Sequence, residues 1–364
     1  MARIAIVSDV HLGTRQYGIK ERYNDFLAAF ENISKRSDIR NVDAVVIGGD
    51  LFDSPRPDAH SVLVAQNAVH NIVSQGVRVL GIDGNHDLSE GDWLRVVGIN
   101  PIGDGSAWMV GDVSILGVNY RNGRDLIAAI QDMVDRGVKT NILVMHFALA
   151  EMNGGGSADT GVQELSPLLD KLGVKAVLMG HVHIPDCRKW NGVLYVNPGS
   201  TEMKSSNEPQ EKFFYVLDTE TWTAEPVPID TRKVETVEIT SEDDLVRFQS
   251  ALEEESKRMS NGTQEKRPFY QVIADDSVDD AFKRLSGAVR CTGAIARIVM
   301  RSSRARDLAP VVDRSESLST LESAIEARFP KESDEAKLTA AMLRSPDPSS
   351  VHLIVEKFME GDKS

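Results

Sequence analysis

Five of the eight histidines in this chain lie in four short motifs, two of which also hold oxygen ligands of the kind metal ions prefer. Each motif follows a short apolar run, and a further motif with Asp50 lies between the first two. Oxygen together with imidazole nitrogen suits Mn, Fe or Zn better than Ca or Mg. No cysteine belongs to the set, which disfavours a closed structural zinc site. The candidate metal ligands are Asp9, His11, Asp50, Asn85, His146, His181 and His183.

The size of this ligand set indicates two ions. Seven ligands are too many for one ion and suit two ions that keep open positions. A carboxylate such as that of Asp50 can bridge two ions with its two oxygens. Two ions about 3.5–4 Å apart hold the attacking and leaving oxygens of a phosphoryl transfer and lower the pKa of a bound water. The motifs therefore predict a two-metal hydrolase.

His86 directly follows a ligand-type residue, Asn85, and we expect it to point at the substrate instead of a metal. It is the candidate general acid or transition-state donor. Either Asp53 or Asp87 could orient it, and the sequence does not choose between them. The candidates for orienting His86 or facing the substrate are Asp53, Asp87, Tyr17 and Arg56.

A single histidine beside a strand is usually a core or surface residue, so the prediction depends on the whole set of motifs. The remaining histidines lie outside the motifs, and we expect no chemical role for them. They are His60, His70 and His352.

The apolar runs position these side chains. Continuous runs of Val, Ile and Leu bounded by Gly or Asp are typical of buried strands. We predict strands at 3–7, 44–47, 77–82, 141–145 and 175–179, and helices at 22–34 and 59–75. Alternating strands and helices predict a layered α/β domain, and such sheets place their sites at the carboxyl ends of strands. The dipeptides Asp104-Gly105 and Asn191-Gly192 predict hairpin turns.

The order of the motifs resembles that of the calcineurin-like metallophosphoesterases. Longer stretches resemble the SbcD/Mre-type DNA repair nucleases. These are Ser8-Asp9-Val10-His11-Leu12-Gly13 with Gln16-Tyr17, Arg22 and Phe26; Asp50-Leu51-Phe52-Asp53 with Arg56-Pro57; and Asn197-Pro198-Gly199-Ser200-Thr201-Glu202. The resemblance covers residues 1–235 well and the remainder only in layout.

The resemblance implies a four-layer α/β/β/α sandwich and a Mn-dependent nuclease that acts on DNA ends with an SbcC-type coiled-coil ATPase. It also allows a homodimer. One ion would be held by Asp9, His11, Asp50 and His183, and the other by Asp50, Asn85, His146 and His181. The position of His86 is catalytic in that family.

Two positions depart from the family pattern. Some members carry a histidine where Asp53 stands, so the resemblance gives this position no assured role in substrate choice. An arginine often follows the position of Glu202, whereas Met203 stands here. A phosphate contact is therefore expected to be missing at that point.

The composition limits the class of protein. A formal net charge of −14 is not that of an autonomous nucleic-acid binder. It fits a subunit that borrows DNA-binding surface from a partner, and it fits an enzyme of small phosphodiesters equally well. The densest basic cluster is Arg297, Arg301, Arg304 and Arg306, whose simpler interpretation is a solvated strand end and loop. With two distant cysteines, no signal peptide and no apolar run of about 18 residues, we expect a cytoplasmic protein.

We predict a catalytic domain at 1–230, a small α/β cap domain at 231–306 and a helical tail at 307–364. The cap would hold strands at 234–239, 269–274 and 294–300, with helices at 242–259 and 278–285. Tail helices are expected at 318–329, 335–343 and 349–359. They would dock on the partner ATPase or pack on their own catalytic domain. The glycine run at 153–157 is a mobile loop or a plain linker.

The sequence therefore predicts a metal-dependent DNA nuclease, exonuclease or single-strand endonuclease, that processes DNA ends by two-metal activation of water. One alternative is a phosphodiesterase or phosphatase that acts on small molecules. Another is a non-catalytic subunit that bridges DNA ends.

Overall fold

Three sheets organise the part of the chain that the structure describes, which is residues 1–88, 91–103, 107–152, 158–260 and 266–301 of a computed structural model. The strands are β1 (Arg3–Val7), β2 (Ala44–Ile47), β3 (Arg78–Gly81), β4 (Asn100–Pro101), β5 (Trp108–Val110), β6 (Val113–Val118), β7 (Ile142–His146), β8 (Ala176–Gly180), β9 (Asp186–Trp190), β10 (Val193–Asn197), β11 (Lys212–Asp218), β12 (Thr223–Ile229), β13 (Val234–Ile239), β14 (Phe269–Asp275) and β15 (Ile295–Arg301). The α-helices are α1 (Lys20–Lys35), α2 (Ser37–Arg40), α3 (Ala59–Val73), α4 (Trp93–Val96), α5 (Gly123–Asp135), α6 (Val162–Leu172), α7 (Glu242–Ser260) and α8 (Ala281–Thr292).

Two six-stranded sheets form the first part of the chain. Their orders are β12-β11-β1-β2-β3-β4 and β5-β6-β7-β8-β10-β9. The strands β1, β2, β3 and β4 pair in parallel, as do β6, β7, β8 and β10. Antiparallel pairs join β11 to β1, β5 to β6 and β9 to β10. Parallel neighbours end at one edge of a sheet, so the loops after β1, β2 and β3 lie side by side, and so do those after β7 and β8.

Alternating side chains of the strands build a four-layer sandwich. In β1, Ala5 and Val7 belong to a core with α1 and α3, whereas Ile4 and Ile6 belong to a core shared with strands of the second sheet. A third core joins the other face of the second sheet to α5 and α6. These strands are buried on both faces, which explains their continuous apolar sequences. Burial of each Ile or Val side chain stabilises the fold by about 1.5–3 kcal/mol. The predicted α/β/β/α layering is confirmed.

Capping residues set where helix α3 begins and where helix α6 ends. The carboxylate of Asp58 accepts hydrogen bonds from the backbone of His60 and Ser61 at the start of α3. Gly173, with a φ of 81°, ends α6 in the left-handed region that glycine tolerates. The predicted turn at Asn191-Gly192 joins β9 to β10, and both residues have positive φ. The hairpin predicted at 104–105 lies outside the described residues.

The third sheet has the order β13-β14-β15 and is accompanied by α7 and α8. The helix predicted at 278–285 instead spans Ala281–Thr292. Asp280 precedes it with a φ of 48°, which is not helical, and Gly293 ends it with a φ of 67°. The strands β13, β14 and β15 and the helix α7 begin and end within one residue of their predicted bounds.

The chain divides into two units. One comprises Met1–Ala274 with Asp280–Val299, and the other comprises Asp275–Asp279 with Met300–Ser364. The predicted tail helices, His352, Arg304, Arg306 and the glycine run at 153–157 lie outside the described residues. The domain boundaries therefore stay predictions. Among the described helices, none combines the length and apolarity needed to cross a bilayer.

Candidate metal centre

The seven candidate ligands come together from five strand ends. Asp9 and His11 follow β1, and Asp50 follows β2. The other four come from β3 of the first sheet and from β7 and β8 of the second, namely Asn85, His146, His181 and His183. The two sheets therefore contribute to one cluster, although its members are up to 174 positions apart in the chain, from Asp9 to His183.

The backbone is constrained where these ligands lie. Asp9, His11, Asp50 and His181 have φ values of 51°, 50°, 51° and 92°. Residues other than glycine rarely adopt this left-handed backbone conformation, and it persists only where the surrounding structure enforces it. Half of the eight non-glycine residues with positive φ in the described chain are thus candidate ligands.

Donor atoms of Asp9, His11 and His183 lie within 4.8 Å of one another. The Nε2 atoms of His11 and His183 face each other at 3.1 Å, and His183 Nε2 is 3.7 Å from Asp9 Oδ1. His11 Nε2 is also 3.7 Å from Asp50 Oδ2. Contacts through His11 and His183 therefore connect the four side chains that the family resemblance assigns to the first ion.

The second group centres on His146. Its Nε2 lies 3.4 Å from Asp50 Oδ2 and 3.0 Å from Asn85 Oδ1. The same amide oxygen is 2.9 Å from His181 Nδ1. These four side chains are those that the resemblance assigns to the second ion. Burial lowers the pKa of His146, but the hydrogen bond and charge of Asp50 outweigh it and raise that pKa to about 9.

Asp50 connects the two groups. Its Oδ2 faces both His11 and His146, while Oδ1 accepts a hydrogen bond of 2.9 Å from the backbone N–H of His86. One oxygen thus faces both groups, in place of the expected arrangement with one oxygen for each ion. Burial, the largest effect, raises the pKa of Asp50, but His146 and His11 together hold it well below its usual range.

Hydrogen bonds on the outer side of the histidines fix their orientation. His146 Nδ1 lies 2.9 Å from the carbonyl oxygen of Gly48, which leaves Nε2 for the cluster. His183 Nδ1 lies 2.8 Å from Glu208 Oε1, and the other oxygen of Glu208 accepts from Ser200 and Lys212. Outer partners of this kind orient metal-binding histidines. The sequence motifs do not include Glu208 and Lys212. The only sequence feature that could have indicated this ion pair is the spacing of four residues between them in a polar segment.

His86 lies beside the cluster. Its ring is 4.9 Å from that of His11, and its Nδ1 is 2.9 Å from the backbone carbonyl of Asp53. The carboxylate of Asp87 instead accepts hydrogen bonds from the backbone of Leu51, Phe52 and Gly84, and burial raises its pKa to about 7. The ring of His86 is therefore held by Asp53, through its main chain, while Asp87 joins the loops that carry Asp50 and Asn85.

The side chain of Asp53 makes a second set of contacts. Its Oδ1 lies 2.7 Å from Lys204 Nζ and 3.4 Å from His11 Nδ1. Burial raises the pKa of Asp53, but His11 and Lys204 outweigh it and lower that pKa to about 2. Asp53 is consequently a carboxylate at neutral pH, placed between a candidate ligand and a lysine that sequence reasoning did not select.

The two remaining candidates lie farther out. Tyr17 is 38% exposed, its ring stacks on Phe269 at 5.9 Å, and the guanidinium of Arg297 lies 4.0 Å from its centroid. Arg56 is exposed, and its backbone N–H donates to Ser54. Neither contact joins these side chains to the candidate ligands.

Glycines keep space around the ligands. A Cβ atom on Gly84 would overlap the carboxylate of Asp50, and one on Gly180 would overlap Ser8 and approach His146 Nδ1. The buried cluster also places imidazole nitrogens against each other and against carboxylates, which is costly for polar atoms unless a ligand or proton lies between them. The donor set and its convergence therefore fit divalent transition-metal ions.

Comparison with known proteins agrees with this chemistry. The calcineurin-like phosphoesterase family model matches residues 2–185. Proteins named DNA double-strand break repair protein Mre11 are 31% identical in Haloferax volcanii and 30% in Methanosarcina mazei, over 65% and 64% of this chain. The matches cover 53% and 38% of those relatives, so the chain spans about half of their length or less.

Solved structures that match the chain include one described as a novel archaeal phosphodiesterase. It is 16% identical, with a TM-score of 0.35 and coverage of 62% of this chain and 99% of its own. A putative 5′-nucleotidase from Staphylococcus aureus matches with a TM-score of 0.38 and 16% identity, over 63% of this chain and 53% of its own.

Proposed function

The chain belongs to the calcineurin-like phosphoesterase family, and on this basis we propose that it is a metal-dependent DNA nuclease that processes DNA ends during repair. The observation that carries the proposal is the convergence of seven ligand-type side chains, Asp50 among them, with His86 beside the cluster. The choice of DNA as substrate is supported by the relatives named as DNA double-strand break repair proteins.

In this proposal two ions are held by the groups that meet at Asp50. Asp9, His11 and His183 complete the first group, and the second is completed by Asn85, His146 and His181. Divalent ions bound there, with Mn²⁺ as the proposed metal, would lower the pKa of a water molecule and neutralise charge on a phosphodiester. The protein positions these ligands through Glu208 and through the carbonyl of Gly48.

His86 acts on the leaving group. Its Nδ1 faces the carbonyl of Asp53, which accepts a hydrogen bond from both the neutral and the protonated ring. The ring can therefore carry a proton on Nε2 and pass it to the ester oxygen as the bond from that oxygen to phosphorus breaks. General acid catalysis of this kind contributes about 10²–10⁴-fold to the rate.

The partner in this proposal is a coiled-coil ATPase of the SbcC type, which docks on the tail that lies outside the described residues. The net charge of −14 is consistent with DNA-binding surface supplied by such a partner. Full-length protein should then recover the ATPase in a pull-down, whereas a version that ends at Asp313 should not. Equal recovery by both would exclude docking through the tail.

The same charge also fits an enzyme of small phosphodiesters, so the substrate must be tested directly. End-labelled duplex and single-stranded DNA are incubated with Mn²⁺ and either wild type or His86→Ala, with and without the ATPase. Bis-p-nitrophenyl phosphate serves as a generic diester. Cleavage of DNA by wild type and its loss in the variant would support the nuclease. Hydrolysis of the small diester with DNA untouched in every mixture would favour a small-molecule phosphodiesterase.

A further inference from the structure

Lys204 reaches the edge of the metal centre from the segment after β10. Its Nζ lies 2.7 Å from Asp53 Oδ1 and 3.1 Å from His11 Nδ1. The side chain is 24% exposed, so the ammonium is partly shielded from water yet accessible to a ligand. Neither the metal ligand set nor the role of His86 uses this charge.

The main chain of Lys204 is fixed on both sides. Its carbonyl accepts a hydrogen bond of 2.7 Å from Gln16 Nε2, and its N–H donates to Glu208 Oε2 at 3.2 Å. Gln16 is itself held by the fully buried guanidinium of Arg22, through a hydrogen bond of 2.8 Å. Because the surrounding groups fix the backbone, less conformational freedom is lost when the ammonium binds a ligand.

Asp53 places Lys204 next to the reacting histidine. Its carbonyl holds the ring of His86 while its carboxylate holds the ammonium of Lys204. A partly exposed ion pair such as this one contributes little to stability by itself. An ammonium has three N–H donors. His11 Nδ1 at 3.1 Å and Asp53 Oδ1 at 2.7 Å take at most two of them, which leaves a donor for a phosphate bound at the proposed metal centre.

We propose that Lys204 contacts the substrate, with its ammonium bound to a non-bridging oxygen of the phosphate. Lys204 would supply the positive charge that an arginine often gives at the position of Met203 in the resembling family. Met203 is buried and uncharged, and its backbone carbonyl accepts a hydrogen bond from Arg22. Lysine acts on phosphate as a point charge, and Asp53 sets its position. This inference depends on the proposed phosphoester hydrolysis, but it holds for any phosphate ester.

The test compares Lys204→Met with Lys204→Arg, which keeps the charge, and with Lys189→Met, an exposed lysine on β9 as matched control. Binding of inorganic phosphate to the Mn-loaded full-length protein is measured by calorimetry, together with metal content and the kinetics of bis-p-nitrophenyl phosphate hydrolysis. Lys204→Met should weaken phosphate binding and lower kcat/KM by about tenfold or more, with unchanged metal content. Lys204→Arg should retain most of both, and Lys189→Met should match wild type.

Equal phosphate affinity in Lys204→Met and wild type would overturn the proposal. Loss of bound metal in Lys204→Met would also overturn it, because the lysine would then support His11 instead of the substrate. If Lys204→Met does not fold, Lys204→Gln replaces it with the same expected loss of affinity. Since phosphate binding needs no turnover, failure to cleave DNA would count against the nuclease alone.

Discussion

Glu208 Oε1 lies 2.8 Å from His183 Nδ1, which joins a candidate metal ligand to a carboxylate that the sequence motifs do not contain. Burial raises the pKa of Glu208, but His183 and Lys212 outweigh it and lower that pKa to about 2. Lys212 is fully buried, and its Nζ lies 2.6 Å from Glu208 Oε2. The carboxylate of Glu208, with the buried Lys212 at its other oxygen, thus lies behind the imidazole and fixes the direction of its Nε2.

Glu208→Gln should weaken metal binding at the first position by about 10–100-fold, because an outer carboxylate both orients the imidazole and increases its basicity. Titration with Mn²⁺ followed by calorimetry measures the change. Glu211→Gln, at an exposed position close by, is the control and should bind as wild type does. An unchanged affinity in Glu208→Gln would show that His183 is not a ligand or needs no such support.

The proposed metal ligands and the proposed catalytic histidine should differ in how their loss affects metal content and rate. Asp50→Asn and His181→Ala should lose bound metal, since each removes a donor from the cluster. His86→Ala should keep its metal and lose about 10²–10⁴-fold in kcat, as expected for a lost general acid. Elemental analysis of the three purified variants is the measurement. Equal occupancy in all three would contradict the assignment.

We expect Arg22 to stabilise the fold and to take no direct part in catalysis. Its guanidinium is fully buried, with Nη1 2.9 Å from Asp25 Oδ2 and Nη2 3.1 Å from Glu202 Oε1. Arg22→Met would leave the buried carboxylate of Glu202 without its ion-pair partner, whereas Asp25 keeps Arg232, and the loss of such a buried partner typically costs about 3–5 kcal/mol. Unfolding in urea measures the loss, and adding Glu202→Gln should recover part of it. A loss below about 1 kcal/mol would show that the pair contributes little.

Asp58 gives a pH-dependent contribution to stability. Burial raises its pKa, but hydrogen bonds from Ser61, Tyr23 and His60 outweigh it and lower the pKa below that of an unfolded aspartate. The carboxylate therefore stabilises the fold above about pH 4, and this contribution is lost as pH falls through the lowered folded pKa.

Asp58→Ala should consequently lower the free energy of unfolding by about 0.5–2 kcal/mol at pH 7, with a smaller difference from wild type in acid. Denaturant titrations at a series of pH values provide the measurement. Asp58→Asn, which keeps an acceptor at the start of α3, should lose less. A difference between Asp58→Ala and wild type that did not shrink in acid would rule out the charged cap.

Local sequence predicted the strands because their apolar runs are continuous and end at Gly or Asp. It also predicted which side chains would meet, since a residue after a strand must lie at the edge of the sheet. The partners of those side chains could not be predicted in the same way. Glu208 reaches His183 across 25 positions and Lys204 reaches His11 across 193, through loops whose paths have no periodic signal. The sequence leaves Asp53 and Asp87 as alternatives for orienting His86, and the carboxylate of Asp87 accepts backbone hydrogen bonds from the loop after β2 instead.

The central claim is that seven side chains hold two ions that share Asp50. Anomalous X-ray diffraction from crystals of the full-length protein soaked in Mn²⁺ tests it most directly. We expect two peaks about 3.5–4 Å apart, both in contact with the carboxylate of Asp50 and one on each side of it. A single peak, or peaks away from Asp50, would contradict the two-metal site and the mechanism derived from it.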